Sequence, residues 1–175
     1  MFKFHKPLLP LSYPSYTLLT DGIKMIFETE RLEIKKLTLD DLDDFYRLHN
    51  DEEVMGKIPA PVLSLEESRA KLISIKNAYE VDGHRLRVWG AFLKQTGQFV
   101  GVCASIGQSE RCRDLGYRLV REYWGQGLGT ELTAGLISDL ELDPSITLLT
   151  ACVDRDNIAS IKIAREVYDV CQRGV

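Results

Sequence analysis

The sequence has little of what marks several protein classes. Its four cysteines, Cys103, Cys112, Cys152 and Cys171, form no C-x-x-C pair and do not cluster with its three histidines. That spacing excludes a zinc knuckle, makes a disulfide framework a poor description, and fits a reducing cytosol; no metal site is expected. No apolar run approaches the roughly 18 residues that a membrane span needs, so the chain is expected to be soluble and cytoplasmic, with no membrane partner. Positive charge is in deficit. With 22 Lys and Arg against 26 Asp and Glu, the net charge is −4, which argues against generic nucleic-acid binding, since that relies on basic side chains neutralising phosphates. A local basic patch is compatible with this balance. Internal repeats and low-complexity tracts are absent too. The N-terminal "MFKFHKPLLPLSYPSYTLL" is broken by Pro7, Pro10 and Pro14 and has no small-residue cleavage site after it, so it is not expected to be a signal peptide.

What is present is the balance of an ordinary globular domain: 175 residues, 45% apolar and 27% charged, enough to bury a core of its own. Residues 1–24 are Pro-rich and aperiodic and are expected to be an N-terminal extension, with 25–175 forming the domain. "IFETERLEIKKLT" (26–38) alternates apolar and charged residues as a half-buried strand does. "TLDD" (38–41) and "SLEE" (64–67) are capping-box signals. Each is followed by apolar residues at helical spacing: Leu42, Phe45, Tyr46 and His49 after the first, Leu72, Ile75 and Tyr79 after the second. Residues 86–93 and 99–106, separated by "KQTGQ", predict a β-hairpin, and 113–120 a further strand. A helix carrying Leu132, Leu136 and Leu140, a strand over 146–153 and a last helix from about Asp156-Asn157 complete the order. A meander followed by a β-α-β crossover predicts an α+β or mixed α/β fold.

"YWGQGLGTEL" (123–132) places three glycines between a strand and a helix. Such a turn aims several backbone N–H groups at one spot, where the positive end of the helix dipole also lies, and so makes an anion cradle. The competing reading is a tight turn that needs glycine only for its backbone angles. A phosphate-binding P-loop is excluded, because Thr130 and Glu131 stand where a lysine and a hydroxyl residue must follow. The G-x-G-x-G spacing, late in the chain, also fits a dinucleotide fingerprint poorly.

From Met25 to about Val167 the chain resembles the GNAT superfamily of acyl-CoA-dependent N-acetyltransferases, specifically its ribosomal-protein N-terminal acetyltransferase (RimJ/RimL-like) branch. The residues that carry the resemblance are "FETERLEIKKLTLDD" (27–41), "DEEVM" (51–55), "GQFVGVCAS" (97–105), "DLGYRLVREYWGQGLGTEL" (114–132) and "DNIASIKIA" (156–164). The resemblance implies a mostly antiparallel central sheet flanked by helices. It implies that acetyl-CoA is the cosubstrate, its pyrophosphate held by Gly125, Gln126, Gly127, Leu128, Gly129 and Thr130, and its pantetheine arm by Leu119 and Val120. Trp124 stands where the wider superfamily has Arg or Gln, as the ribosomal-protein branch allows. Asn157 is implied at the pantetheine, alongside a helix-capping role that its residue type favours anyway. The resemblance also implies Ser160 as proton donor to the leaving thiolate and Asp114 as the carboxylate that accepts the amine's proton. A surface position for either residue is the competing reading. The Tyr that many members place seven residues after the Asn is Ala164 here, with Tyr168 one turn beyond.

An amine must lose its proton to attack a thioester. At pH 7 that costs about 4.6 kcal/mol for a lysine side chain and only about 1.4 for an α-amine, so a site without a strong base suits an α-amine. The expected acceptor is a protein N-terminus or a small-molecule amine, and a second copy of the chain is an optional partner. The family's Gly-aromatic pair and closing C-terminal strand are expected to be missing after "REVYDVCQRGV". This leaves a catalytically impaired acyl-CoA-binding or regulatory module as the alternative function.

Overall fold

The computed structural model describes residues 2–5, 25–58 and 60–167. Among the described residues seven strands form one sheet: β1 (Phe2–His5), β2 (Met25–Glu28), β3 (Leu32–Lys35), β4 (Leu86–Leu93), β5 (Phe99–Gly107), β6 (Cys112–Leu119) and β7 (Leu148–Ala151). Their order across the sheet is β1-β7-β6-β5-β4-β3-β2, and every neighbouring pair is antiparallel except β6 and β7. The α-helices described beside it are α1 (Leu42–Asn50), α2 (Glu52–Met55), α3 (Leu65–Ala78), α4 (Leu128–Glu141) and α5 (Ile158–Val167). This is the expected mixed α+β architecture. Strand β1 lies within the stretch expected to be an extension and pairs antiparallel with β7, Phe2 opposite Ala151 through His5 opposite Leu148. Tyr168 and the place of the expected missing strand lie outside the described residues.

Both capping boxes form. Thr38 exchanges bonds with the backbone and side chain of Asp41, and Ser64 does the same with Glu67, so two orphan donors are satisfied at each helix start. The single strand expected over 26–38 is instead two strands, β2 and β3, joined by a turn. The Thr29 N–H donates to the Leu32 carbonyl at 2.9 Å, and the Leu32 N–H to Thr29 Oγ1 at 3.1 Å. The turn is pinned from far away in sequence by Glu131 on α4. Its carboxylate accepts from Thr29 Oγ1 at 2.5 Å, from the Arg31 N–H at 2.7 Å and from Arg31 Nε at 2.6 Å.

Each face of the sheet has its own core, because successive strand residues point to opposite faces. Leu32, Ile34, Trp89, Ala91, Cys103 and Leu115 meet Leu128, Leu132 and Leu136 of α4 on one face. Leu37, Phe99 and Val102 meet Phe45 and Leu48 of α1 and Leu72 and Ile75 of α3 on the other. Tyr79, at the end of α3, donates to the Val88 carbonyl at 2.5 Å and accepts from the Leu37 N–H at 3.0 Å. Burial pushes its phenol up to about 12, with the Leu37 bond opposing, so it stays protonated as a structural pin.

Candidate functional site

Parallel strands β6 and β7 pair only over Cys112, Arg113 and Asp114, opposite Leu148, Leu149 and Thr150. Beyond Asp114, β6 runs on to Leu119 beside β5 alone, which opens a gap on the β7 side. The Val120 N–H donates to the Val100 carbonyl at 2.9 Å. Because backbone polar groups alternate sides along an antiparallel strand, the Leu119 amide turns the other way, into the gap. The Leu119 carbonyl already accepts from the Trp124 indole N–H at 2.8 Å. Leu119 therefore offers its N–H to the gap. Val120 lines a separate hollow of about 620 Å³ with Tyr46, Asp51 and Arg121.

After one 3-10 turn over Arg121–Tyr123 the chain enters the glycine turn. Gly125 and Gly127 have φ of +72° and +77°, left-handed angles that L side chains rarely adopt. Gly127 is the N-cap of α4 and supplies no side-chain cap, and the first helical bond runs from the Glu131 N–H to the Gly127 carbonyl at 3.1 Å. The N–H groups of Leu128, Gly129 and Thr130 are thus left without intrahelical acceptors at the positive end of the helix. They face a cleft of about 470 Å³, bounded by Tyr117 and Leu119 on one side and by Asn157, Ser160 and Ile163 on the other. This is within the size range of small-ligand sites. Gly129 keeps the cleft walls together: a Cβ there would sit 2.9 Å from Ile163 Cδ1 and 3.4 Å from Tyr117 Cε2.

Gln126 does not line the cleft. Its carbonyl accepts from Arg31 Nη1 at 2.9 Å and its Nε2 donates to the Glu122 carbonyl at 2.7 Å. Arg31 therefore links Glu131 to the middle of the glycine turn. Burial raises the Glu131 carboxyl, but the bonds from Thr29 and Arg31 outweigh it and hold it below the usual carboxylate range. The Thr130 hydroxyl donates to Glu166 Oε2 at 3.3 Å.

At the start of α5, Asn157 Oδ1 accepts from the Ser160 N–H at 3.1 Å. That bond makes Asn157 a helix cap whose side-chain amide N–H groups remain free to donate. Ser160 Oγ lies 3.0 Å from the Tyr117 hydroxyl. Burial pushes the Tyr117 phenol up, with the Ser160 bond opposing, so the pair keeps a proton at neutral pH. The sequence does not single out Tyr117 as a site residue; its signal there is the "LGY" within the motif at 114–132. Ala164 is 4% exposed and carries no ionisable group. Asp114 sits on the last rung shared by β6 and β7 and accepts from Thr150 Oγ1 at 2.8 Å. Burial raises its carboxyl, with the Thr150 bond opposing. Alternation along β6 puts Asp114 on the α1/α3 face and Tyr117 on the α4/α5 face. The structure therefore joins Ser160 to Tyr117, and leaves Asp114 on the opposite side of the strand.

Among the described residues no group of three metal-ligating side chains occurs, and no helix is long and apolar enough to cross a membrane. Cys103 is fully buried and its thiol is pushed up, first by burial and then by the Asp139 charge, as suits packing rather than nucleophilic attack.

A family model for the acetyltransferase (GNAT) domain matches residues 31–167. The chain is 28% identical over 138 residues to the uncharacterized N-acetyltransferase p20 of Bacillus licheniformis, covering 77% of this chain and 76% of that protein. Its fold is similar to that of RimL, the ribosomal L7/L12 alpha-N-protein acetyltransferase, in complex with coenzyme A. The TM-score is 0.72 at 18% identity, covering 82% of each chain. It is similar also to the aminoglycoside acetyltransferase AAC(6')-Ib in complex with coenzyme A, with a TM-score of 0.64 at 18% identity, covering 78% of this chain and 82% of that one.

Proposed function

Because the chain belongs to the GNAT acetyltransferase family, as an acetyl-CoA-dependent N-acetyltransferase, we propose that it acetylates a protein N-terminal α-amine, in the manner of the RimJ/RimL-like branch. The observation that carries the cofactor part is the row of unpaired N–H groups at Leu128, Gly129 and Thr130, held open to the cleft by Gly125 and Gly127. These amides take the pyrophosphate of coenzyme A, as helix N-termini take phosphates elsewhere. The Leu119 N–H and the Asn157 side chain hold the pantetheine arm, which brings the thioester to the gap between β6 and β7.

The acceptor nitrogen attacks the thioester carbonyl from the Asp114 face. Asp114, its affinity for a proton raised by burial, accepts the proton that the amine gives up, through a water molecule. As the carbon–sulfur bond breaks on the other face, Ser160 donates its proton to the coenzyme A thiolate and takes one from Tyr117, 3.0 Å away, which is reprotonated in turn by solvent. Acid and base on opposite sides of β6 suit a reaction whose nucleophile enters on one side of the carbonyl and whose leaving group sits on the other. The lower deprotonation cost of an α-amine and the resemblance to RimL support a protein N-terminus as acceptor. The proposed location is the cytosol, where acetyl-CoA and nascent N-termini meet.

Product mapping tests the acceptor. A peptide with one free α-amine and one lysine, incubated with acetyl-CoA, is expected to carry the acetyl group on the α-amine; a lysine-only product overturns the assignment. The alternative, an acyl-CoA-binding module without activity, predicts coenzyme A binding and no acetylated product on any amine.

A further inference from the structure

The α1/α3 face of β6 carries a charge that this scheme leaves unused, that of Arg118, which also borders the cleft of the glycine turn beside Val54, Lys57 and Ile58. Asp114, Gly116 and Arg118 share that face, and their register partners on β5 are Ile106, Ala104 and Val102. Val102 lies under α1 and α3, but the cover stops there. A Cβ on Gly116 would meet no atom within 4 Å, and Ile106 is 36% exposed. Gly116 therefore leaves open space on this face between a carboxylate, Asp114, and a guanidinium, Arg118.

The guanidinium is held in place without being neutralised. Arg118 Nη1 donates to His49 Nε2 at 2.8 Å. His49 is 1% exposed, and its Nδ1 lies 2.8 Å from the Phe45 carbonyl. That ring nitrogen must carry the proton, which leaves Nε2 as an acceptor. Burial, reinforced by the charges of Arg118 and Lys71 and opposed by the Phe45 bond, holds the imidazole down at about 4. A neutral ring thus orients Arg118. Lys71 of α3 is half-buried and close enough for its charge and that of Arg118 to repel.

Among the described residues neither cation has a carboxylate within ion-pair distance. The acids nearby in sequence, Asp51, Glu53 and Glu122, pair with Arg121 and Arg47 instead. Two partly buried cations side by side are unfavourable unless an anion joins them. Arg118 has spent one of its five N–H donors, and a guanidinium fork matches an oxyanion in two-pronged fashion.

We propose that Arg118, oriented by His49 and backed by Lys71, determines specificity by binding an oxyanion on the acceptor. The substrate is then an amine that also bears a carboxylate or a phosphate. This rests on the N-acetyltransferase reading. Cα atoms four residues apart on a strand lie roughly 13 Å apart, with Gly116 leaving the space between Asp114 and Arg118 open. An N-terminal amine near Asp114 with an acidic side chain on the second or third residue spans that distance.

Three tripeptide amides test it: Ser-Ala-Ala as the neutral acceptor, Ser-Asp-Ala as the carboxylate and Ser-phosphoserine-Ala as the phosphate. The wild-type protein is expected to favour one or both anionic peptides over the neutral one by about tenfold to a hundredfold in kcat/KM, the difference lying in KM. The preferred arm identifies the anion. Arg118→Gln is expected to erase the preference, and Arg118→Lys, which keeps the charge and loses the fork, to retain part of it. Equal kcat/KM for all three peptides in the wild type, or an equal loss for all three in Arg118→Gln, overturns the proposal. So does a matching loss of coenzyme A affinity by calorimetry, which would place Arg118 in the cofactor site. If no peptide is acetylated, calorimetric binding of the same peptides to the coenzyme-A-saturated protein reads the preference directly. An Arg118-dependent anionic preference without turnover overturns the proposed function and leaves this inference standing.

Discussion

Ser160 and Tyr117 meet at 3.0 Å across the cleft, and the roles proposed for them make separable demands. Losing the hydroxyl at the thiolate removes the proton donor, whereas losing the phenol removes only its supply. Ser160→Ala is expected to lower kcat about a hundredfold and Tyr117→Phe about tenfold, with the acetyl-CoA KM within about threefold of wild type. Steady-state kinetics on both variants check this, and an unchanged kcat in Ser160→Ala removes Ser160 from the chemistry. A second residue-scale effect is independent of the site. Burial pushes the Asp139 carboxyl up to about 6 from its ordinary 3.8, so the folded state holds a proton that the unfolded chain has released. Stability on this account is fully present below about pH 3.8 and is lost as pH rises through about 6. Asp139→Asn is expected to gain up to about 3 kcal/mol over wild type at pH 7.5 and nothing at pH 3.5. Denaturant midpoints at the two pH values check it. His49, whose pKa is lowered to about 4, works in the opposite sense, losing stability as pH falls below 6.5. It is present in both proteins and cancels in the comparison.

At the scale of elements, the glycine turn depends on a partner about a hundred residues away. Glu131 holds Thr29 and Arg31, and Arg31 holds the Gln126 carbonyl, so the hairpin turn of β2 and β3 braces the start of α4. Glu131→Ala is expected to weaken coenzyme A binding about tenfold and to lower the melting temperature. Calorimetry decides: unchanged affinity means that the glycines hold the turn alone. The same contact shows where the sequence was legible and where it was not. Thr38–Asp41 and Ser64–Glu67 announce their helices because a capping box is complete within four residues. The hairpin of β4 and β5 is announced by two β-rich runs flanking a polar turn. The break at 29–31 is marked in the sequence only by four consecutive polar residues, Glu28 to Arg31, and the bonds that bend it come from α4. Ser160 and the glycines lie in contiguous motifs and could be quoted from them. Tyr117 acquires its place only when α5 folds back onto β6, and Arg118 only when α1 brings His49 against it.

At the scale of the whole molecule, a sheet with a core on each face presents its cleft where two parallel strands part. On the proposed scheme Ser160 and Asp114 then act from opposite faces of one strand, β6. The β7 edge of that sheet is covered by β1 through four residue pairs. Removing residues 1–24 is expected to expose the backbone of Leu148–Ala151 as an open edge, lowering the melting temperature and promoting concentration-dependent association. Sedimentation of the shortened chain checks this, and a stable monomer with unchanged melting means that β1 adds nothing. The central claim, acetyl transfer from acetyl-CoA to an amine, is tested most directly by the initial rate of free-thiol release from acetyl-CoA, measured with and without peptide and small-molecule amines. Release that rises with amine concentration and saturates, with one acetylated product per thiol, is the predicted result. Thiol release that never depends on an amine, in a protein that binds acetyl-CoA, would contradict it.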